Sequence, residues 1–254
     1  MGNQFWSKVE AGIAELVIEN PPVNAMDSKG WRAFSREIDR LNADDAVRVI
    51  VVRAEGRGFC AGVDVKELQA HPDRIVEVNA GNYETFRALH RGLKPAIAAV
   101  HGYVLGGGIG ICGSVDIILA SPDAKFGVPE VDRGALGAGA HLQRMFPLQK
   151  VRQMYFTGEM IDAAEAYRLG AVERIVPREE LRAAAFELAA KIAAKSPTMI
   201  RLAKEALNGV EDGDLERHYR WEQGFTAQAY LTAESQEARD AFVEKRDADF
   251  AGKK

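Results

Sequence analysis

Near the start of the chain, the spacing of apolar residues changes from every second residue to every third or fourth residue. The first spacing predicts a strand and the second predicts a helix. Ile13–Glu19 alternates, is rich in β-formers and stops at Asn20-Pro21-Pro22, so we predict a strand followed by a turn. Apolar residues three and four positions apart then predict a helix with one buried stripe and with Ser28 as its N-cap. The stripe comprises Trp31, Phe34, Ile38 and Leu41.

The alternation of strand and helix continues through the first half of the chain. A buried strand is predicted at Val47–Arg53, and further strands are predicted at Ala96–Val100, Asp116–Ala120 and Lys125–Val128. Helices are predicted near Asp64–Gln69, over Asp73–Leu93 and after Gly106-Gly107-Gly108. Strand, strand and helix recur without a repeated sequence, which predicts an α/β fold organised as a β-rich spiral.

Helical patterns dominate from Ala140 onward. Helices are predicted at Arg178–Lys195, Pro197–Leu207, Leu215–Tyr230 and Glu234–Asp249. The only strand predicted in this part of the chain lies near Arg174–Val176. We therefore divide the chain into a core at residues 1–196 and a helical region at residues 197–254.

Composition narrows the class of protein. The 254 residues are 47% hydrophobic, and 33 basic against 37 acidic residues give a formal charge of −4, without the basic stripe typical of nucleic-acid binding. The sequence contains neither a long apolar run nor a signal-peptide pattern, so we expect a cytoplasmic protein without membrane or nucleic-acid partners. Two cysteines and scattered histidines predict neither a disulfide framework nor a metal site.

Three glycine-containing segments are candidates for chemistry: Phe59–Asp64, Leu105–Gly110 and Phe126–Gly134. Small residues after a strand let the backbone approach a ligand, and a helix that begins at glycines offers unpaired N–H groups. Each segment taken alone is equally well explained as a tight turn. Glu130, which directly follows a proline, is either a buried acid or base or a surface residue paired with Arg133.

Together the three segments resemble the enoyl-CoA hydratase/isomerase, or crotonase, superfamily. The resemblance covers nearly the whole chain, from Asn20–Ala25 to Ala241–Arg246. It implies a crotonase-like α/β spiral of repeated β-β-α units with a C-terminal helical trimerisation region, and hence a homotrimer or a dimer of trimers. It also implies an acyl-CoA thioester substrate, with no cofactor beyond the coenzyme A that the substrate carries.

The resemblance further implies roles for individual residues. The backbone N–H groups of Val63 and Gly107 would bind the thioester oxygen, where prearranged donors stabilise an enolate, and Glu130 would act as acid or base. Phe242 and Lys245 match positions that reach the CoA of a neighbouring subunit, although a core Phe and a solvated Lys are equally simple interpretations. The full set implied to bind substrate or CoA is Ala61, Asp64, Lys66, Gly106, Phe242 and Lys245.

Departures from the family pattern limit the choice of reaction. Typical hydratases carry two Glu, and the first of these positions is Gly110 here, which disfavours ordinary hydration. Ala138 stands where other branches have an Asp, which argues against a dienoyl-CoA isomerase and a dehalogenase. A single retained Glu suits a 3-enoyl to 2-enoyl isomerase, or a branch that makes or cleaves carbon–carbon bonds.

Asp132 and His141 are two further candidates for catalysis. If the chain at Glu130 is extended, Asp132 faces the same way and could raise the pKa of Glu130. The alternative is that Asp132 pairs with Arg133 or Arg144 and orders the loop. His141 is either a proton relay or substrate contact, or a packing residue.

The overall pattern looks most similar to a branch that hydrolyses a ring carbon–carbon bond in a cyclic β-diketone CoA thioester during steroid-ring breakdown. In that reaction water adds to a ring ketone, and the leaving carbanion is stabilised as an enolate. The alternatives are a 3-enoyl/2-enoyl-CoA isomerase, a weak enoyl-CoA hydratase, or a catalytically inactive protein that binds acyl-CoA or RNA.

Overall fold

The computed structural model describes residues 4–211 and 214–249, which include a six-stranded sheet. Its strands lie in the order β1 (Phe5–Glu10), β2 (Ile13–Ile18), β4 (Val49–Ala54), β6 (Ala96–Val100), β8 (Ile117–Ala120) and β11 (Arg174–Ile175). β1 is antiparallel to β2, and the other neighbours are parallel. Every residue of β2 is buried, as expected for a strand covered on both faces.

Two smaller sheets hold the three glycine-containing segments beside one another. β3 (Ala25–Met26) pairs with β5 (Gly62–Val63), and β7 (Tyr103–Leu105), β9 (Lys125–Gly127) and β10 (Ile161–Asp162) form the second sheet. Val104 of β7 pairs with Phe126 on one side and forms a bridge with Cys60 on the other. A single short strand therefore joins all three segments.

The helices surround these sheets. They are α1 (Ser28–Ala43), α2 (Val65–Ala70), α3 (Ile75–His90), α4 (Gly107–Cys112), α5 (Gly139–Met145), α6 (Leu148–Thr157), α7 (Ala163–Arg168), α8 (Arg178–Ala193), α9 (Pro197–Val210), α10 (Leu215–Tyr230) and α11 (Ala233–Glu244). Short 3₁₀ turns occur at Pro72–Arg74 and Pro129–Arg133. No helix within the described ranges is both long and apolar enough to cross a bilayer.

The apolar core lies on both faces of the large sheet. On one face, Val49, Val51 and Ile97 belong to a cluster with Leu181 and Ala185 of α8. The opposite face packs against the larger cluster, which contains the apolar stripe predicted for α1. The α/β organisation predicted from the sequence, with helices in the C-terminal part, is confirmed.

Several local predictions are wrong. The first strand, Phe5–Glu10, was not predicted, because Ser7 lies on its shielded face and Trp6 on its exposed face, which breaks the apolar alternation. Asp27 rather than Ser28 caps α1, since its carboxylate accepts from Gly30 N at 2.6 Å. Ser28 instead donates its hydroxyl to Glu67 at 2.8 Å.

The later helices also differ from their predicted lengths. The helix predicted over Asp73–Leu93 is divided into a 3₁₀ turn and α3. The helix predicted to reach Asp249 ends at Glu244, because Lys245 adopts a left-handed conformation with φ +56°. A second strand, β10, is present in the C-terminal part. Ser196 caps α9, and the division of the chain at this residue stays a prediction.

A buried lysine anchors α9 to the core. Lys204 is 5% exposed, and its Nζ donates to Leu89 O at 2.8 Å, to Lys94 O at 3.0 Å and to Asp116 Oδ2 at 2.9 Å. Asp116 also accepts from Ala96 N, at the start of β6. Burial lowers the pKa of Lys204, and the nearby carboxylate opposes that shift. The three acceptors connect α9 to the end of α3 and to the sheet.

Replacing this lysine is expected to destabilise the fold. Lys204→Met removes the cation and leaves buried acceptors without a donor, so the free energy of unfolding should fall by about 3 kcal/mol. Urea denaturation measures the change. Lys191→Met is the matched control, since Lys191 pairs with Glu187 on the surface and should contribute less than about 0.5 kcal/mol. Equal stability of the two variants would contradict the anchoring role.

Candidate functional site

A cavity of about 480 Å³ lies where the three glycine-containing segments meet α3, α10 and α11. The sequence-predicted residues that line it are Ala61, Val63, Asp64, Lys66, Gly106, Gly107, Glu130 and Phe242. Asp132, His141 and Lys245 are absent from its wall. The structure therefore brings most of the predicted site together, and it separates three predicted residues from it.

The two predicted oxyanion donors lie on backbones in close contact. A Cβ atom added to Gly62, whose φ is +88°, would lie 3.0 Å from the backbone nitrogen of Gly107. A Cβ added to Gly107 would lie 2.5 Å from the buried ring of Trp31. Gly107 begins α4, so its N–H has no acceptor within the helix. This contact brings the backbone at Val63 close to that of Gly107, although the role of the two N–H groups stays a prediction.

Glu130 places a buried carboxyl group at the cavity. Its Oε2 is buried and has no hydrogen-bond partner among the described residues, and a Cβ on Gly106 would overlap its Oε1. Burial raises the pKa of Glu130 to about 7, although its own backbone amide and the nearby Arg133 oppose that shift. A carboxyl group with this pKa can both accept and donate a proton near neutral pH.

Asp132 does not point in the same direction as Glu130, so the geometric argument for a catalytic role of Asp132 was wrong. Pro129–Arg133 forms a 3₁₀ turn rather than an extended segment, so residues two apart point in different directions. Asp132 is exposed, and its carboxylate lies beside Gly158. The alternative, an ion pair of Asp132 with Arg133 or Arg144, is not formed either. Arg144 pairs with Glu211 at 2.7 Å, and Arg133 donates to Pro129 O.

His141 packs in an aromatic cluster behind the cavity wall. Its ring centroid lies 4.6 Å from that of Phe86 and 4.7 Å from that of Tyr219, both in edge-to-face geometry. The residue is 1% exposed, and burial lowers the pKa of His141 to about 3. The imidazole is therefore neutral at physiological pH. This placement corresponds to the packing alternative and not to a substrate contact.

Of the residues predicted to bind substrate or CoA, all but Lys245 line the cavity. Asp64 caps α2 by accepting from Lys66 N at 2.9 Å, and the exposed Lys66 lines the cavity. Phe242 is 46% exposed and lies under the Arg133 guanidinium at 4.5 Å. It lines the cavity of its own chain, because α11 packs against α2 and the turn that carries Glu130. A contact of Phe242 with the CoA of a neighbouring subunit stays a prediction. Lys245 is exposed at the end of α11.

The position of the absent second carboxylate is filled by an aromatic ring. A Cβ added to Gly110 would overlap three carbons of the Phe86 side chain. Phe86 is 3% exposed and also packs edge-to-face on Trp31 at 5.9 Å. The ring is therefore held from several sides and cannot easily move to admit a larger residue at position 110.

Sequence reasoning missed the wall that α3 and α10 contribute. Asn82, Phe86, Tyr219, Thr226 and Tyr230 line the cavity. The signal lies in the helical spacing, since Asn82 interrupts an otherwise apolar stripe that also contains Ile75, Val78 and Phe86. A polar residue within a buried stripe indicates either a satisfied core group or a ligand contact.

The buried Glu130 carboxyl is expected to give a characteristic pH dependence of stability. Its pKa is raised in the folded state, so protonation stabilises the fold below the unfolded pKa near 4.5, and this contribution is lost as the pH rises towards 7. Relative to Glu130→Gln, the wild type should lose about 3 kcal/mol of unfolding free energy between pH 4.5 and pH 8. Urea denaturation at both values measures it. A pH-independent difference between the two proteins would show that Glu130 ionises normally.

Comparisons with known proteins agree with this geometry. The family profile described as Enoyl-CoA hydratase/isomerase matches residues 8–253. The chain is 44% identical over 238 residues to the (7aS)-7a-methyl-1,5-dioxo-2,3,5,6,7,7a-hexahydro-1H-indene-carboxyl-CoA hydrolase of Mycobacterium tuberculosis, covering 93% of this chain and 96% of the relative. It is 45% identical over 235 residues to the protein of that name from Rhodococcus jostii, covering 92% and 91%.

A solved structure supports the same assignment. The crystal structure of an enoyl-CoA hydratase/isomerase from Xanthobacter autotrophicus Py2 superposes with a TM-score of 0.86 at 25% identity, covering 95% of this chain and 91% of that one. The match spans both the sheets that hold the candidate site and the C-terminal helices. The chain therefore belongs to the enoyl-CoA hydratase/isomerase family and is an enzyme with the crotonase fold.

Proposed function

We propose that this enzyme hydrolyses a ring carbon–carbon bond in a cyclic β-diketone CoA thioester of steroid-ring degradation. The observation that carries the proposal is a cavity with one buried, unpartnered carboxyl group, Glu130, and with Phe86 in the place of a second carboxylate. The relatives at 44% and 45% identity are named for hydrolysis of a bicyclic dioxo carboxyl-CoA, which supports the same reaction.

Glu130 would act first as base and then as acid. It takes a proton from water, whose oxygen attacks the ring ketone carbon. The ring carbon–carbon bond breaks, the attacked carbon becomes a carboxylic acid, and the electron pair of the bond passes to the other carbon as an enolate. Backbone N–H groups of Val63 and Gly107 would stabilise the enolate oxygen in a site shielded from water. Glu130 then returns the proton to carbon, which balances the addition of one water.

The acyl-CoA would enter beside α2 and α11. The exposed Lys66 lines the cavity and would attract CoA phosphates, and the stacked pair of Phe242 and Arg133 lines it as well. The resemblance gives no role to a metal or separate cofactor, and we propose that none is needed. In this mechanism coenzyme A arrives and leaves with the acyl group.

We also propose a homotrimer or a dimer of trimers in the cytoplasm. Trp221 and Phe225 form an edge-to-face pair on α10, with ring centroids 5.6 Å apart. They are 75% and 43% exposed, which is a large aromatic surface to leave in water. Burial of this pair against a second copy would support the assembly.

Removing the acid–base group should abolish hydrolysis. Glu130→Gln keeps the shape of the side chain but cannot take up a proton, so turnover of a cyclic β-diketone CoA thioester should fall at least about 100-fold. Product mass spectrometry follows the reaction, and the dissociation constant of free CoA should stay unchanged.

Asp132→Asn is the matched control for this measurement. Asp132 lies two residues away, is exposed and lies outside the cavity wall, so its variant should keep activity within about twofold. Normal turnover of Glu130→Gln would remove Glu130 from the mechanism. If the wild type converts only 3-enoyl-CoA to 2-enoyl-CoA, the enzyme is an isomerase, which a single base also suits.

Adding a carboxylate at position 110 should not create a hydratase. Gly110→Glu collides with the Phe86 ring, so the variant should lose about 1–3 kcal/mol of stability without faster hydration of crotonyl-CoA. The absorbance of the enoyl thioester measures the rate of hydration, and thermal unfolding measures the loss of stability. Gly209→Glu is the control, because Gly209 also lies in a helix but has open space around it. A Gly110→Glu protein that is equally stable and hydrates faster would show that Phe86 moves aside.

A further inference from the structure

Asn82 presents an unmatched polar group to the cavity. It lies on α3, lines the cavity and is 7% exposed. Its Oδ1 is buried and has no hydrogen-bond partner within the described part of the chain. Burial raises the pKa of the Tyr219 hydroxyl, and the neighbouring side chains of Asn82 and Gln223 oppose that shift, whereas the Asn82 oxygen remains unpaired.

The neighbouring polar groups are already satisfied. Gln223 Nε2 donates to Asn79 O at 2.6 Å, and Thr226 Oγ1 donates to Leu136 O at 2.7 Å. These bonds leave the amide of Asn82 as the unmatched group on this wall, among the residues that the structure describes. Buried polar atoms are rarely left unpaired, so an exception in a ligand cavity indicates a missing partner.

Asn82 interrupts an apolar stripe of α3 that faces the cavity. Ile75, Val78 and Phe86 lie on the same stripe of α3, and an apolar residue at position 82 would continue it. An unpaired buried amide is costly, and that cost is recovered only when a ligand supplies the hydrogen bond.

Tyr219 lets the Asn82 amide adapt to its ligand. A phenolic hydroxyl can donate or accept, so Tyr219 can hold either the NH₂ group or the oxygen of the amide. The opposite edge of the amide then faces the cavity, where NH₂ suits a ketone and oxygen suits a hydroxyl.

We propose that Asn82 hydrogen-bonds an oxygen atom on the acyl group and thereby determines specificity for oxygenated, keto- or hydroxy-substituted, acyl-CoA thioesters over hydrocarbon ones. This inference rests on one part of the proposed function, namely that the ligand is an acyl-CoA thioester. Tyr219 is a positioning residue in this arrangement. An acyl group without the oxygen would bury the amide unpaired and bind more weakly.

Matched ligands that are not cleaved test the proposal by binding alone. Isothermal titration compares cyclohexanecarboxyl-CoA with its 3-oxo and 4-oxo derivatives, which differ only by one ketone oxygen. The wild type should bind at least one keto ligand about tenfold more tightly than the hydrocarbon. Asn82→Leu and the smaller Asn82→Ala should reduce this preference to within about twofold, while binding of the hydrocarbon ligand is retained or improved.

Asn42→Leu is the control for loosening of α3. Asn42 donates to Ala88 O of α3 from outside the cavity, so its loss disturbs the same helix without touching the ligand wall, and the keto preference should persist. Equal binding of all three ligands by the wild type would overturn the proposal, as would a preference that survives both Asn82 variants. A keto preference in an enzyme that cleaves no cyclic β-diketone would refute the proposed reaction alone.

Discussion

The site depends on the direct contact between two backbones, at Gly62 and at Gly107. Any side chain at Gly62 would push against the nitrogen of Gly107, and any side chain at Gly107 would push against Trp31. β7 holds the loops in this arrangement, since it pairs with Cys60 on one side and with β9 on the other. In the proposed mechanism this contact would determine where the thioester oxygen lies, and the Glu130 carboxyl lies beside the adjacent Gly106.

The buried carboxyl group of Glu130 lowers the stability of the fold when it ionises, and the proposed mechanism depends on that same burial. Glu130 has no partner for Oε2, and its ionisation in the folded state is opposed by burial. A salt bridge there would stabilise the charge but would also make the carboxylate a weak base. The nearby Arg133 instead donates to Pro129 O and stacks on Phe242, so it supports the turn without neutralising the acid.

The sequence predicted the fold and the part of the cavity wall that the glycine-containing segments form, because both depend on local signals. Apolar periods identified the buried strands, and the glycine-rich segments with Glu130 identified the family. The prediction for Asp132 was wrong because residues two positions apart point the same way in a strand but in different directions in a 3₁₀ turn, and Pro129 begins such a turn. His141 and Asn82 were ambiguous or missed, since their surroundings come from α3 and α10, which are far apart in the chain and meet only in the folded protein.

The position of α11 has a consequence for the order in which the molecule assembles. Gln69 of α2 donates to Asp240 of α11 across 171 positions of sequence, and Ser235 hydrogen-bonds Gly134 O across 101. Contacts between such distant segments require long loops to close, and they form more slowly than local ones. We therefore expect α11 to dock after the more local strand pairings of the large sheet have formed, and the cavity wall is complete only once it has docked.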